Sequence, residues 1–404
     1  MICSTVEESI RDYAAGRMVI VVDDEERENE GDLVCAAQFA TPETIAFMAR
    51  EGRGLICLAL DQAIADRLDL PLMVEQNSSR FGTNFTISIE AAVGVTTGIS
   101  AADRSRTIQV AIDPQSGPAD LARPGHIFPL RAAPGGVLKR PGQTEASVDL
   151  ARLSGLTPAG VICEIMNDDG TMARRDDLAR FAARHGLKIV SVAQLIAHRR
   201  RHDRLVERAG EASMPTRHGP FRAISYTNCY DDTEAVALVM GELSGDEPPL
   251  IRVHSECLTG DVFGSLRCDC RDQLEMAIAR IAEEGRGAII YMRQEGRGIG
   301  LHNKLRAYAL QEQGFDTVEA NERLGFPADL RDYTMSAQIL ADLGVTSLRL
   351  LTNNPKKLAA LREHGVVVHE RVALHATATT HNAHYLSTKR KKLGHMLEDS
   401  YVNI

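Results

Sequence analysis

Tryptophan is absent from the chain, and aromatic residues make up only 4% of its 404 residues, so large rings contribute little to its core or binding surfaces. Long apolar runs are missing as well. The first candidate, Met18 to Val22, is too short for a signal-peptide core or a membrane span, and a cytoplasmic address is the expectation. Eight cysteines are too few for a disulfide framework in a chain of this length. Cys3, Cys35, Cys57, Cys163 and Cys229 are scattered singly, several in apolar runs, and read as buried free thiols. Positive charge is not in excess either: the formal net charge of -9 argues against general affinity for nucleic acid or an anionic membrane. An anionic substrate must therefore meet a local basic site. What remains, 44% hydrophobic and 25% charged residues, is the composition of a globular protein.

The length predicts two domains. From Met18 to Val192, short apolar runs (Met18 to Val22, Leu55 to Leu60, Val161 to Met166, Lys188 to Val192) alternate with amphipathic stretches such as Pro42 to Arg50 and Thr144 to Leu153, an α/β pattern. Between them, Asn77 to Asn84 and Arg123 to Gly142 read as long polar loops. A charged run, His198 to Glu211, predicts a helical linker, and Ser213 to Arg217 an interdomain connection. Beyond it, helix candidates Gln273 to Glu284 and Thr334 to Leu343 alternate with strand candidates Ala288 to Arg293 and Ser347 to Thr352. The fold class is thus α/β, two α/β domains joined by a charged helical linker. Thr377 to Ile404, with basic residues at Lys389 to Lys392, reads as a solvated helix and tail.

Cys257, Cys268 and Cys270 form Cys-x10-Cys-x-Cys, three soft ligands near enough in sequence to share one metal. A structural zinc site is closed by four protein ligands, whereas a catalytic one keeps a position for water, whose pKa falls to about 7. Three ligands favour hydrolysis. The alternative is a structural site completed by a distant histidine such as His254 or His302. The surrounding motifs are Arg252-Val253-His254-Ser255-Glu256-Cys257, Gly264-Ser265-Leu266-Arg267-Cys268-Asp269-Cys270, Gln294-Glu295-Gly296-Arg297-Gly298-Ile299-Gly300 and Leu351-Thr352-Asn353-Asn354-Pro355-Lys356-Lys357. With them the chain resembles GTP cyclohydrolase II from about Phe221 to His395.

That resemblance implies a zinc-dependent opening of the guanine imidazole ring of GTP, with release of formate and pyrophosphate. Cys257, Cys268 and Cys270 would hold zinc, and Arg331 would be the nucleophile for the nucleotidyl phosphate with Asp329 as its proton acceptor. It further implies nucleotide contacts at Arg252, Val253, His254, Ser255, Glu256, Gln273, Glu295, Gly296, Arg297, Thr317, Thr352 and Lys357, with Tyr308 beside the base. By residue type, Arg252, Arg297 and Lys357 supply cations for a triphosphate. Asn353-Asn354-Pro355 looks like a helix start, where free N–H groups favour phosphate. Alone, Lys356 and Lys357 would read equally well as an exposed helix face.

In the first half, Asp23 to Asp32 is dense in carboxylates directly after a strand candidate. By itself it is a solvated acidic turn or a set of hard oxygen ligands suited to Mg2+. Together with Gly94 to Arg104 and Arg123 to Arg131 it is similar to 3,4-dihydroxy-2-butanone 4-phosphate synthase over roughly residues 5 to 203. The resemblance implies conversion of ribulose 5-phosphate to formate and the four-carbon butanone phosphate. Mg2+ would serve as cofactor, with Mn2+ able to take its place, and Mg2+ is also an option for the second domain. Substrate contacts would be Arg27, Glu28, Asp32, Arg140, Thr144 and Glu164, with His126 and Glu164 in proton transfer. Glu28 would be one magnesium ligand. The family's Arg-x-Gly-His-Thr-Glu is here Arg140-Pro141-Gly142-Gln143-Thr144-Glu145, so the second ligand, a histidine in the family, is Gln143. A glutamine oxygen can ligate a hard cation but cannot exchange protons as an imidazole does, and an impaired first domain is expected.

The two resemblances divide the chain at residues 1–203 and 204–404 and point to riboflavin biosynthesis, with a homodimer expected. Two other readings stay open. One is a GTP-opening enzyme of another pathway whose first half is a scaffold. The other is a zinc-stabilised GTP sensor, against which Asp329, Arg331 and the three cysteines speak.

Overall fold

The computed structural model describes residues 3–230, 233–245, 247–376 and 378–398, so the end of the expected C-terminal tail lies outside the described residues. The chain divides into two compact units, Met1–Asp203 and Arg204–Ile404. No helix among the described residues is long and apolar enough to cross a membrane.

The first unit is built on seven strands: β1 (Val19–Val22), β2 (Gly31–Ala36), β3 (Cys57–Leu60), β4 (Ile89–Ala91), β5 (Leu121–Arg131), β6 (Ala159–Glu164) and β7 (Lys188–Ser191). Their order is β4-β5-β3-β6-β2-β1-β7, with parallel and antiparallel pairs mixed. Side chains alternate across the sheet. Ile20, Leu33, Leu58 and Val161 pack with Ile45, Ile108 and Leu178, while Val19, Val34 and Ile162 pack with Tyr13, Leu150 and Leu195. Helices Pro42–Phe47, Ala101–Ile112 and Arg175–His185 thus cover one face, and Val6–Ala14, Gln143–Leu153 and Val192–His202 the other. Burial on both faces explains why β1 is apolar at every position. Cys35, Cys57 and Cys163 are buried free thiols, whereas Cys229 is exposed. Burial pushes Cys35 and Cys163 up to about 12, which makes them inert.

The second unit contains β8 (Val206–Thr216), β9 (Gly219–Asn228), β10 (Glu234–Met240), β11 (Leu250–Ser255), β12 (Gly287–Met292), β13 (Ser347–Leu351) and β14 (Val367–Val372). They are ordered β14-β13-β11-β12-β10-β9-β8. β8 to β10 form an antiparallel meander, and β12, β11, β13 and β14 are mutually parallel. Helix Cys270–Glu284 packs Ala277 and Ile281 against Leu250 and Ile289. The carboxyl ends of the parallel strands carry the loops of the site, as is usual in α/β sheets.

Three sequence expectations are corrected. The charged run His198 to Glu211 is helical only to His202. From Val206 it is the edge strand β8, and the expected connection Ser213 to Thr216 lies inside its hairpin with β9. An edge strand wetted on both faces has no alternation to read. Likewise, much of the expected loop Arg123 to Gly142 is β5, whose Pro124, Gly125 and Pro129 mask its strand character. At the chain end, helix Ala383–Lys391 is not a solvated element, because Leu386 and Lys389 are buried.

Candidate functional site

Cys257 lies two residues past β11, and Cys270 opens helix Cys270–Glu284 with Cys268 two residues before it. Their three sulfurs lie within 4.8 Å of one another, with Cys257 Sγ and Cys268 Sγ 3.6 Å apart. Sulfurs about 2.3 Å from one tetrahedral ion are roughly 3.8 Å apart, so the set fits zinc. Gly260 makes the approach possible, since a Cβ there would meet Cys268 Sγ at 2.9 Å and Cys257 Sγ at 3.1 Å. Hydrogen bonds from the Cys268 and Cys270 thiols, together with the Lys304 ammonium, hold Cys257 well below the usual thiol range. Lys304 Nζ, buried on helix Gly300–Glu312, donates to Cys257 Sγ (3.1 Å) and to Glu295 Oε1 (2.7 Å). Among the described residues no carboxylate or histidine joins the three sulfurs. The histidine offered as a fourth ligand, His254, has Nε2 3.1 Å from Asp261 Oδ2, and Asp261 also accepts from Cys257 N and Tyr291 OH. His302 is exposed.

The sulfurs open onto a cleft of about 1090 Å³, mouth included, into which the chain brings Arg252, His254, Ser255, Glu256, Gln273, Glu295, Gly296, Arg297, Tyr308, Thr317, Arg331, Thr352 and Lys357. Most nucleotide contacts expected from the sequence therefore converge. Val253 takes part through its carbonyl, which accepts from Lys357 Nζ (2.7 Å). Burial, then the cations of Arg252, Arg331 and Lys389, lower Lys357 well below the usual lysine range. Such crowding calls for an anion. Arg252 Nε and Arg297 Nη1 are buried donors without an acceptor among the described residues, and Arg297 holds a left-handed backbone (φ 63°), the kind of strain that clusters at ligand sites. The helix start at Asn354 is present, although Asn354 Oδ1 already takes Lys356 N (3.0 Å).

Asp329 grips Arg331 with two bonds, Nε to Oδ1 (2.8 Å) and Nη2 to Oδ2 (2.7 Å). Despite its burial, this pairing raises Arg331 above the ordinary arginine value. The two side chains form a fixed ion pair, both largely buried. Sequence reasoning missed Lys304, Asp269 and the C-terminal residues Tyr385, Lys389 and His395, all at or beside the cleft. The basic cluster at Lys389 was the available signal, but exposure was the simpler reading of it.

In the first unit, Asp23 accepts from Glu28 N, Glu30 N and Arg27 Nη1 (3.1, 2.9 and 2.7 Å), pinning the acidic turn. Arg27 Nη1 also lies 2.9 Å from Glu28 Oε2 and 3.1 Å from Gln143 Oε1. The two expected magnesium ligands thus converge on one cationic position with hard oxygen donors, which fits Mg2+. Gln143 Nε2 is buried without a partner among the described residues. Asp32 pairs with Glu164 across β2 and β6. Burial, then Glu164, Glu28 and Glu30, pushes Asp32 well above the carboxylate range, and burial raises Glu164. A cation would relieve both. Thr144 lies in the first turn of helix Gln143–Leu153, and Arg140 bonds Glu145 Oε2 (2.7 Å) and Thr83 Oγ1 (2.9 Å). A Cβ on Gly142 would meet Arg140 Nη1 at 2.5 Å and Arg27 Nη2 at 3.1 Å, so a side chain there would push these guanidinium tips aside. His126 bonds Glu90 (2.8 Å) instead of the acidic cluster. It stands two residues before Phe128, the partner of Cys57, while Glu164 accepts from Leu55 N, two residues before Cys57.

Two family models match the chain: 3,4-dihydroxy-2-butanone 4-phosphate synthase over residues 7–198 and GTP cyclohydrolase II over residues 207–373. The chain is 58% identical over 401 residues to the riboflavin biosynthesis protein RibBA of Synechocystis sp., covering 98% of this chain and 72% of that one. It is 58% identical to the RibBA protein of Aquifex aeolicus, with coverage of 97% and 98%. Among solved structures, the two-domain 3,4-dihydroxy-2-butanone 4-phosphate synthase RibBX of A. baumannii matches with TM-score 0.67 and 39% identity, covering 92% of this chain and all of that one.

Proposed function

We propose a division of labour from one premise: the chain belongs to the RibBA family of riboflavin biosynthesis proteins, with a 3,4-dihydroxy-2-butanone 4-phosphate synthase domain followed by a GTP cyclohydrolase II domain. The domains are assigned to residues 1–203 and 204–404. The observation that carries the second activity is the convergence of Cys257, Cys268 and Cys270 beside a cleft lined by Arg252, Arg297, Arg331 and Lys357. Zinc held by the three cysteines would supply Lewis acidity and activate water near neutral pH. Arg252, Arg297 and Lys357 bind the triphosphate of GTP, and their orphaned or crowded donors gain the acceptors they lack. Tyr308 borders the base, with Gln273, Thr317 and Thr352 orienting the nucleotide. Glu295 braces the cysteine loop by accepting from Leu258 N (2.6 Å) and Lys304. For Arg331 to attack the nucleotidyl phosphorus and displace pyrophosphate, Asp329 must take its proton, and their two-pronged hydrogen bond supports that pairing.

In the first domain, Glu28 and Gln143 would hold Mg2+, which supplies charge stabilisation for an enediolate. Arg140, Thr144 and the start of helix Gln143–Leu153 receive the sugar phosphate, while His126 and Glu164 exchange protons with the sugar. This reaction runs slowly, because Gln143 shares its oxygen with Arg27 and offers no proton-exchanging nitrogen. A homodimer in the cytoplasm completes the reading, and the exposed Val262, Phe263 and Leu266 offer a second copy an apolar surface. The test is to assay the full chain separately with GTP and with ribulose 5-phosphate, following formate, pyrophosphate and the two products. GTP consumption without formate release overturns the second assignment.

A further inference from the structure

We infer that the C-terminal segment from Ala383 to Met396 is the closing wall of the nucleotide cleft, with His395 a further phosphate-binding group and Lys389 the positioning residue that keeps it there. The inference rests on reading this cleft as the GTP site.

The segment is pinned at two points. At the first, Lys389 is buried and its Nζ donates to Asp269 Oδ1 (2.6 Å), 4.5 Å from the Tyr385 ring. Asp269 stands between Cys268 and Cys270 and also accepts from Gln273 Nε2 (2.5 Å), whose Oε1 accepts from Arg252 Nη2 (2.6 Å). One run of polar contacts therefore ties the last helix to the cysteine loop and to a guanidinium of the cleft. A solvated basic helix needs no buried ion pair, and cutting such a pair leaves an uncompensated charge. At the second point, Met396 N donates to Asn353 O (2.9 Å), returning the chain to the helix start at Asn354. Between the pins, His395 N donates to Lys389 O (3.0 Å), and Leu393 and His395 line the cleft together with Arg297, Arg331 and Lys357.

The charge balance says what the wall faces. Arg252, Arg297, Arg331, Lys357 and Lys389 meet at one cavity, where Asp329 pairs with Arg331 and Asp269 with Lys389. Burial, then Lys389, Arg331, Lys357 and Arg297, holds His395 down to about 2. A neutral imidazole adds a hydrogen-bond donor to the cleft without adding repulsion, and a polyphosphate that neutralises its neighbours makes it a stronger donor.

The test uses the full chain with zinc bound, GTP as substrate and inorganic pyrophosphate as ligand. His395→Ala is expected to raise both the KM for GTP and the inhibition constant of pyrophosphate about tenfold, the effect of losing one charge-assisted hydrogen bond, with kcat and zinc content changing far less. His395→Gln, which retains a donor, recovers part of the loss. Lys389→Ala raises the same two constants, and Lys389→Arg restores them because a guanidinium can still reach Asp269. In the unaltered chain, pyrophosphate slows amide hydrogen exchange across residues 384–396, a readout independent of how any variant folds. An unchanged KM and pyrophosphate inhibition in His395→Ala with full zinc, or no protection of these amides by pyrophosphate, overturns the inference. If the unaltered, zinc-loaded chain does not open GTP, the GTP reading fails instead, and the pyrophosphate protection alone decides the wall.

Discussion

Gln143→His separates a slow first domain from an ordinary one. Gln143 is 5% exposed and begins helix Gln143–Leu153, its Oε1 3.1 Å from Arg27 Nη1 and its Nε2 without a partner among the described residues. To ligate magnesium, that oxygen must give up a hydrogen bond from a charged donor, worth about 1.5–3 kcal/mol. This corresponds to roughly 10- to 160-fold in metal affinity. Losing even an outer-shell partner of a metal costs about 10- to 100-fold, a loss of the same size. The unaltered chain is expected to form butanone phosphate at least about tenfold more slowly than it opens GTP, and Gln143→His to raise that rate by about tenfold at limiting magnesium. The gap should narrow as magnesium approaches saturation. The assay follows formate and butanone phosphate from ribulose 5-phosphate over a magnesium titration, with GTP opening in the same preparation as the control. Pro141 fixes its own φ beside this residue, and Gly142 is wedged between two guanidiniums, so Pro141→Gly is the second change to add. Equal rates for the two substrates in the unaltered chain refute the reasoning and make Gln143 a working ligand. If the Gln143→His, Pro141→Gly double variant stays inactive while GTP opening persists, the defect lies outside this loop.

Three further outcomes are expected. Cys268→Ser should remove zinc and abolish GTP turnover while ribulose 5-phosphate turnover persists, and elemental analysis finding no zinc in active protein contradicts the assignment. Arg331→Ala should stop turnover with the second domain still folded and zinc-loaded, since Arg331 is bound to a buried base; near-normal pyrophosphate release by this variant removes Arg331 from the chemistry. The third concerns acid. His395 is held down to about 2 when docked, against an ordinary value near 6.5, so below that pH the undocked segment binds a proton that the docked one refuses. Docking is complete above about pH 6.5 and weakens by up to about tenfold per unit as pH falls. Amide exchange at 384–396, corrected for its intrinsic rate, should accelerate from pH 7 to pH 5 and lose that dependence in His395→Gln.

Local features of this chain are legible in its sequence. The run Met18 to Val22 reads as a buried strand because both faces of its sheet are covered, and Asn354-Pro355 reads as a helix start because cap and first turn are neighbours in sequence. The three cysteines are close enough for their spacing alone to imply a shared metal, and the substitution at Gln143 is visible in a single hexapeptide. Strands β5 and β8 are not legible, since one carries prolines and the other is a wetted edge whose conformation comes from pairing with β9.

The distant polar contacts are beyond reach for a related reason. Lys389 meets Asp269 across 120 residues, Arg27 meets Gln143 across 116 and Lys357 meets the Val253 carbonyl across 104. A lysine is by default exposed, and only a partner brought to it by the fold makes burial tolerable. Residue type and spacing by themselves determined the chemistry available to this protein. The tertiary structure decided which charges leave water to serve it, because the cost of burying a charge is offset only by groups that the folded chain places within hydrogen-bond reach.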